Sequence, residues 1–451
     1  MFRNLIVFVF FSGAVTAQPI DSSVALAGKY FSEAKEISIQ DNGRLWGIKL
    51  YGPMVFVERS TGRAIANEQD SAGIFQKKGD VFIGNVPQTF ASNTARFWGG
   101  KVWTVIVWPI PMDKQERASL MIHELFHQLQ MKIGLPAYST MSDHLDKFEG
   151  RLLLKLELEA LRKVINEYPA YSKQDLINAI VLRKYRYRQF PVADSLEHEI
   201  ELNEGLATLT GFILGDDTEQ SQTKQRINRK INEFYENKTF VRSLGYITGY
   251  LYGFLLKSKK YTWHLSLNKS GILPKEFSYA SFSEMASFEK LILTLYNLQL
   301  PVSIPDAYNS IAETGKYNYA AIYSLEKKRE EKKLALEIEN RKIFIDGPVL
   351  ILPNVDMKFN FNPNEVQMLE GYGPIYPTFT GKAAWGLLEV EKGGALVKDW
   401  MYVYIPLSSQ IDLAAQRIIS KNWQLQLNNG WSIAEGKRKG DYTVVKAPAG
   451  K

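Results

Sequence analysis

The chain contains no cysteine among its 451 residues. That excludes a disulfide scaffold, a cysteine-ligated metal or iron–sulfur site, a cysteine nucleophile and a lipid anchor on an N-terminal Cys. Long apolar runs are also missing. The strongest, residues 5–11 (LIVFVFF), is far short of the roughly 20 residues needed to cross a bilayer. There is no GxxxxGK[ST] and no strand-linked GxGxxG, which disfavours kinase, ATPase and NAD-enzyme chemistry. Charge of one sign is scarce too. With 55 basic against 48 acidic residues, the net charge of +7 and pI near 9.0 do not argue for nucleic acid on so large a body. Histidine is rare, with five in all.

What is present reads as a globular protein. Hydrophobic residues make up 45% and charged residues 23%, and the length allows two or three packing units. Arg3, the apolar run and the small residues that follow it (SGAVTA, 12–17) have the form of a secretory signal peptide, residues 1–17, cut after Ala17. This predicts a secreted or periplasmic protein without a transmembrane segment in the mature chain.

The expected fold class is α+β. A β-rich part, 18–112, has candidate strands at 36–40, 46–50, 54–58, 80–84 and 102–108, separated by Gly, Pro and Asn turns. A helical part, 113–340, follows, with helical spacing over 145–167, 173–188, 196–214, 223–237 and 242–257 and a charged connecting helix over 323–340. A β-rich, sandwich-like part, 341–451, has strands at 343–345, 349–352, 384–390, 401–405, 423–427 and 442–445. Asn428-Asn429-Gly430 reads there as a hairpin turn.

The chemistry lies in His123-Glu124-Leu125-Phe126-His127, an HExxH inside a helix predicted over 114–132. Asp113 and Glu116 form its start, and it ends at Gly134-Leu135-Pro136. Positions i and i+4 share a helix face, so both imidazoles can address one ion. Glu124, beside the first of them, is placed to act as a general base.

With HExxH on a helix that follows a sheet, the chain resembles the zincin metallopeptidases. Zinc needs a third protein ligand; Cys is absent, and 128–138 holds no further His. A downstream carboxylate would make this the gluzincin type, and Asn203-Glu204-Gly205-Leu206-Ala207 is similar to the NEGxA segment that supplies it in that group. The resemblance implies one Zn2+ per chain on His123, His127 and Glu204, a zincin-like catalytic domain, and hydrolysis of peptide bonds in a peptide or protein substrate with Glu124 as base. It departs from the pattern in its spacing, because residues 128–203 separate the ligands, and in Thr208, which stands where thermolysin-like enzymes place a supporting Asp. Glu149 and Glu201 remain rivals for the third ligand, and His144 and His198 lie near them. Asp146, Glu149 and Glu201 are candidates for the missing support.

Tyr246, Tyr250 and Tyr252 are candidates for a donor to the oxyanion. The apolar segment 102–108 reads as core, although in zincins a sheet edge near the HExxH helix takes up the peptide backbone. Arg183–Arg188, basic with interleaved Tyr, reads as a helix face meeting acidic groups or solvent, not as a nucleic-acid surface. Tyr372, Tyr376, Trp385, Trp400, Trp423 and Trp431 read mainly as core of the last domain. The other reading of the whole is an exported envelope or binding protein with a structural or silent zinc site.

Overall fold

The computed structural model describes residues 20–132, 140–216, 218–258, 287–361 and 366–447. The expected signal segment, residues 1–17, and the expected helix stop at Gly134-Leu135-Pro136 lie outside the described residues. The chain is α+β and divides between Ser324 and Leu325 into two compact units. The division falls inside a helix, Tyr319–Arg341, upstream of the expected 340/341 boundary.

The first unit opens with a helix where strands were expected. Residues 36–40 belong to α1 (Ile20–Asp41), and 46–50 form a turn and an extended stretch. The Glu-Ile-Ser-Ile-Gln alternation imitates a strand. The residues actually buried, Ala27, Tyr30, Phe31, Ala34, Ser38 and Asp41, recur at helical spacing. Six strands follow: β1 (Met54–Glu58), β2 (Arg63–Ala66), β3 (Gln76–Lys78), β4 (Val81–Asn85), β5 (Thr94–Trp98) and β6 (Lys101–Trp108). They form one sheet in the order β3-β4-β2-β1-β6-β5, antiparallel except for the β1–β6 pair.

Met54, Phe56, Ile65 and Ile106 turn one face of this sheet to the helices, where Phe56 stacks on Phe31 with ring centroids 4.4 Å apart. Val55, Val57, Trp103 and Val105 pack on the other face with Phe75 and Phe90. The segment 102–108 is therefore an interior strand, as its apolar run on both faces implies, and β5 beside it is one of the two edges.

Next comes α2 (Lys114–Lys132), as expected, with Asp113 Oδ1 accepting the Glu116 N–H at 2.9 Å. It lies against β6 and β5 and against α6. The helices that follow, as far as residue 257, are α3 (Phe148–Glu167), α4 (Lys173–Gln189), α5 (Ala193–Ile200), α6 (Leu206–Gly215), α7 (Gln220–Tyr235) and α8 (Leu244–Lys257). The single helix expected over 196–214 is interrupted by a π-helical turn, Glu201–Gly205.

In the second unit the strand expected at 343–345 is a π-helical turn, Lys342–Asp346, which buries Phe344. Two sheets of seven and five strands follow, and side chains of both share one core: Leu350, Val397, Val403 and Ile405 from one, Phe379, Leu388, Trp423 and Leu425 from the other. The turn at Asn428-Asn429-Gly430 is not a hairpin. Trp423–Leu427 belongs to the five-stranded sheet and Trp431–Glu435 to the seven-stranded one, so the chain changes sheets here. Tyr376, Trp385 and Trp423 are core, Tyr372 and Trp431 are half-buried, and Trp400 is exposed. Among the described residues, no helix is long and apolar enough to cross a membrane.

Candidate metal centre

Three donors converge between α2 and the π turn. His123 and His127 stand one turn apart on α2, with their Nε2 atoms 3.1 Å from each other. Glu204 Oε2 lies 3.4 Å from both. One ligand atom from each residue falls within 4.8 Å of the others, so the group could hold a metal ion.

The outer atoms of these side chains are committed elsewhere. His127 Nδ1 bonds Gln130 Oε1 at 2.9 Å, and His123 Nδ1 lies 3.3 Å from Thr208 Oγ1. Gln130 Nε2 donates to Asn203 Oδ1 at 3.1 Å, and Asn203 Nδ2 to Glu204 Oε1 at 3.3 Å. Each ring is thereby oriented with Nε2 inward, and Glu204 Oε2 is buried with no hydrogen-bond partner. Two imidazole lone pairs and a bare carboxylate oxygen facing one point form a donor set suited to a cation.

Burial lowers the His123 pKa, against the pull of Glu204. Burial would lower His127 as well, but the Glu204 carboxylate lifts it to about 9. Burial would raise Glu204, yet His127 and His123 hold it well below the usual carboxylate range. Glu124 is 4% exposed, and burial pushes its carboxyl up to about 8.

The π turn allows Glu204 to reach the histidines, and α8 presses against it from behind. A Cβ on Gly245 would lie 2.9 Å from Glu204 Cβ, and one on Gly249 would lie 2.5 Å from Gly205 O. Only glycine permits backbones this close. Between the two glycines, Tyr246 stacks on the His123 ring, with centroids 5.7 Å apart. Its phenol is raised well above its ordinary value by burial and by the nearby Glu204 carboxylate.

The other Tyr candidates lie elsewhere. The Tyr250 hydroxyl is 3.4 Å from Ser119 Oγ, and Tyr252 is buried with its hydroxyl donating to Glu157 Oε1 at 2.9 Å. The rivals for the third ligand separate as clearly. Glu149 is exposed, Glu201 receives Arg183 through both oxygens at 3.0 and 2.8 Å, and His144 pairs with Glu197 at 2.7 Å. His198 is outside the donor group, and burial lowers it to about 4.

None of Asp146, Glu149 and Glu201 supports a ligand histidine in the bonds described above; Thr208 and Gln130 do. Thr208 occupies the position where the resemblance puts a supporting Asp, and Gln130 lies three residues after His127 on the same helix face.

The basic stretch Arg183–Arg188 proves largely internal. Arg183 and Arg186, both 0% exposed, bind Glu157, Glu197 and Glu201. This network ties α3, α4, α5 and the π turn together one helical turn before Glu204. Compared with known protein families, curated proteins and solved structures, the chain matches none.

Proposed function

We propose that this chain is an exported zinc-dependent peptidase with a zincin-like catalytic domain of the gluzincin type. The observation that carries the reading is the convergence of His123, His127 and Glu204 on one point, with Glu124 on the same helix turn. Two imidazoles and one carboxylate suit zinc and leave a position open for water or substrate. Zinc in such a site supplies Lewis-acid polarisation and eases deprotonation of water at neutral pH.

The remaining steps fall to the chain's own side chains. Glu124 accepts the proton of the attacking water and delivers it to the departing amine. The Tyr246 hydroxyl, kept protonated by its surroundings, donates to the carbonyl oxygen as charge develops there. The free edge of β5, beside α2, offers backbone N–H and C=O groups to an extended peptide. Export rests on the form of residues 1–17.

The test is metal analysis of protein prepared without chelators, with cleavage of a broad peptide library by wild type and Glu124→Gln. The expected result is about one zinc per chain in both, with cleavage by wild type alone. A zinc-loaded wild type that cleaves nothing favours the other reading, an exported binding or envelope protein with a silent site.

A further inference from the structure

Both ligands contributed by different parts of the chain are held by one bridge of carboxamides. His127 meets Gln130 Oε1, Gln130 Nε2 meets Asn203 Oδ1, and Asn203 Nδ2 meets Glu204 Oε1. Gln130 is 0% exposed and Asn203 5%, so water does not compete for these bonds. The bridge has a direction. With Gln130 accepting from His127, its amide must donate onward, and Asn203 must then present its own amide to Glu204. A carboxamide is the group that can accept at one end and donate at the other, and two in series carry that polarity from an imidazole N–H to a carboxylate.

We propose that Gln130 and Asn203 act as one positioning unit that couples the orientation of His127 to that of Glu204, and so sets the metal affinity of the site. Neither residue touches the converging Nε2 and Oε2 atoms. They act through the far atoms of the two ligands, fixing the proton of His127 on Nδ1 and leaving Oε2 of Glu204 free. This inference rests on the metal reading of the site.

Gln130→Glu separates a coupled bridge from simple support of His127. A carboxylate there accepts from His127 more strongly than an amide and raises the basicity of the ring, so simple support predicts unchanged or tighter binding. A coupled bridge predicts the reverse. Glu cannot donate to Asn203, the Asn203 amide turns to meet it, and its oxygen is then set against Glu204 Oε1.

The experiment measures zinc affinity by chelator competition for wild type, Gln130→Glu, Gln130→Leu, Asn203→Ala, the Gln130→Leu/Asn203→Ala double variant and His123→Ala. Circular dichroism and thermal melts of the metal-free proteins check folding, and the visible spectrum of the cobalt forms reports ligand geometry. The expected losses are about 10–100-fold for each bridge variant, Gln130→Glu included. The double variant should be no weaker than the weaker single one, and the cobalt spectra should be altered. Gln130→Glu binding as tightly as wild type, or losses that multiply in the double variant, would overturn the coupling while leaving the metal site standing. A wild type that binds no more zinc than His123→Ala would overturn the metal reading itself and the bridge with it.

Discussion

Tyr246 lies nearly parallel to the imidazole of His123, with the two planes 16° apart. The ring packs on His123, and the Glu204 carboxylate acts on its phenol. Tyr246→Phe keeps the packing and removes only the donor. Its turnover of a cleavable peptide should fall by about 100-fold, at unchanged zinc content, if the hydroxyl meets the developing oxyanion. Steady-state kinetics with metal analysis on the same preparation measures both. Tyr250→Phe and Tyr252→Phe, whose hydroxyls face Ser119 and Glu157, should leave turnover within a few-fold of wild type.

Glu124 has no part in the donor group, so its role separates from binding. Glu124→Gln should retain zinc and lose about 100- to 10,000-fold in turnover, because an amide cannot take the proton. Single-turnover assays at saturating peptide distinguish this from weakened substrate binding.

The third ligand can be tested against its former rival. Glu204→Ala should lower zinc content sharply, whereas Glu149→Ala, at an exposed position, should leave it unchanged. Equilibrium dialysis followed by elemental analysis distinguishes the two.

The buried ion network has a pH signature. Burial would raise the Glu197 carboxyl, but Arg186 and His144 hold it down to about 2, against 4.5 ordinarily. A depressed carboxylate pKa contributes stability that is fully present above about 4.5 and lost as pH falls through about 2. The shift is worth on the order of 3 kcal/mol. Glu197→Gln should therefore be less stable by about 3–5 kcal/mol at pH 7, since Arg186 stays buried with a partner removed. Its loss of stability between pH 4.5 and 2 should be shallower than in wild type. Urea unfolding at a series of pH values reads both.

How far the sequence disclosed this arrangement depends on whether each signal was local. The α2 helix was legible because Pro109 and Pro111 bound it, Asp113 starts it, and its ligands lie within one turn. Glu204 was legible through its neighbours, despite the 76 residues at positions 128–203. α1 was misread because Ile37 and Ile39 alternate with polar residues, although Ile39 is 62% exposed and the buried stripe runs through Ala27, Phe31 and Ala34. The Asn428-Asn429-Gly430 turn was read correctly as a turn, but which sheet each flanking strand joins depends on distant partners. Choosing among three tyrosines on one helix required knowing which face α8 turns to α2, and that is a tertiary fact.

The π turn Glu201–Gly205 carries one further consequence. In an ordinary helix Glu201 and Glu204, three positions apart, would share a face. Here one serves Arg183 and the other the histidines, because the wider turn accommodates an extra residue. Removing Leu202 or Asn203 from this turn would restore regular helix and bring the two carboxylates one residue closer along it. Glu201 and Glu204 could not then both keep their partners. This stretch should consequently tolerate no change of length, not even one that keeps Glu201, Asn203, Glu204 and Gly205 themselves.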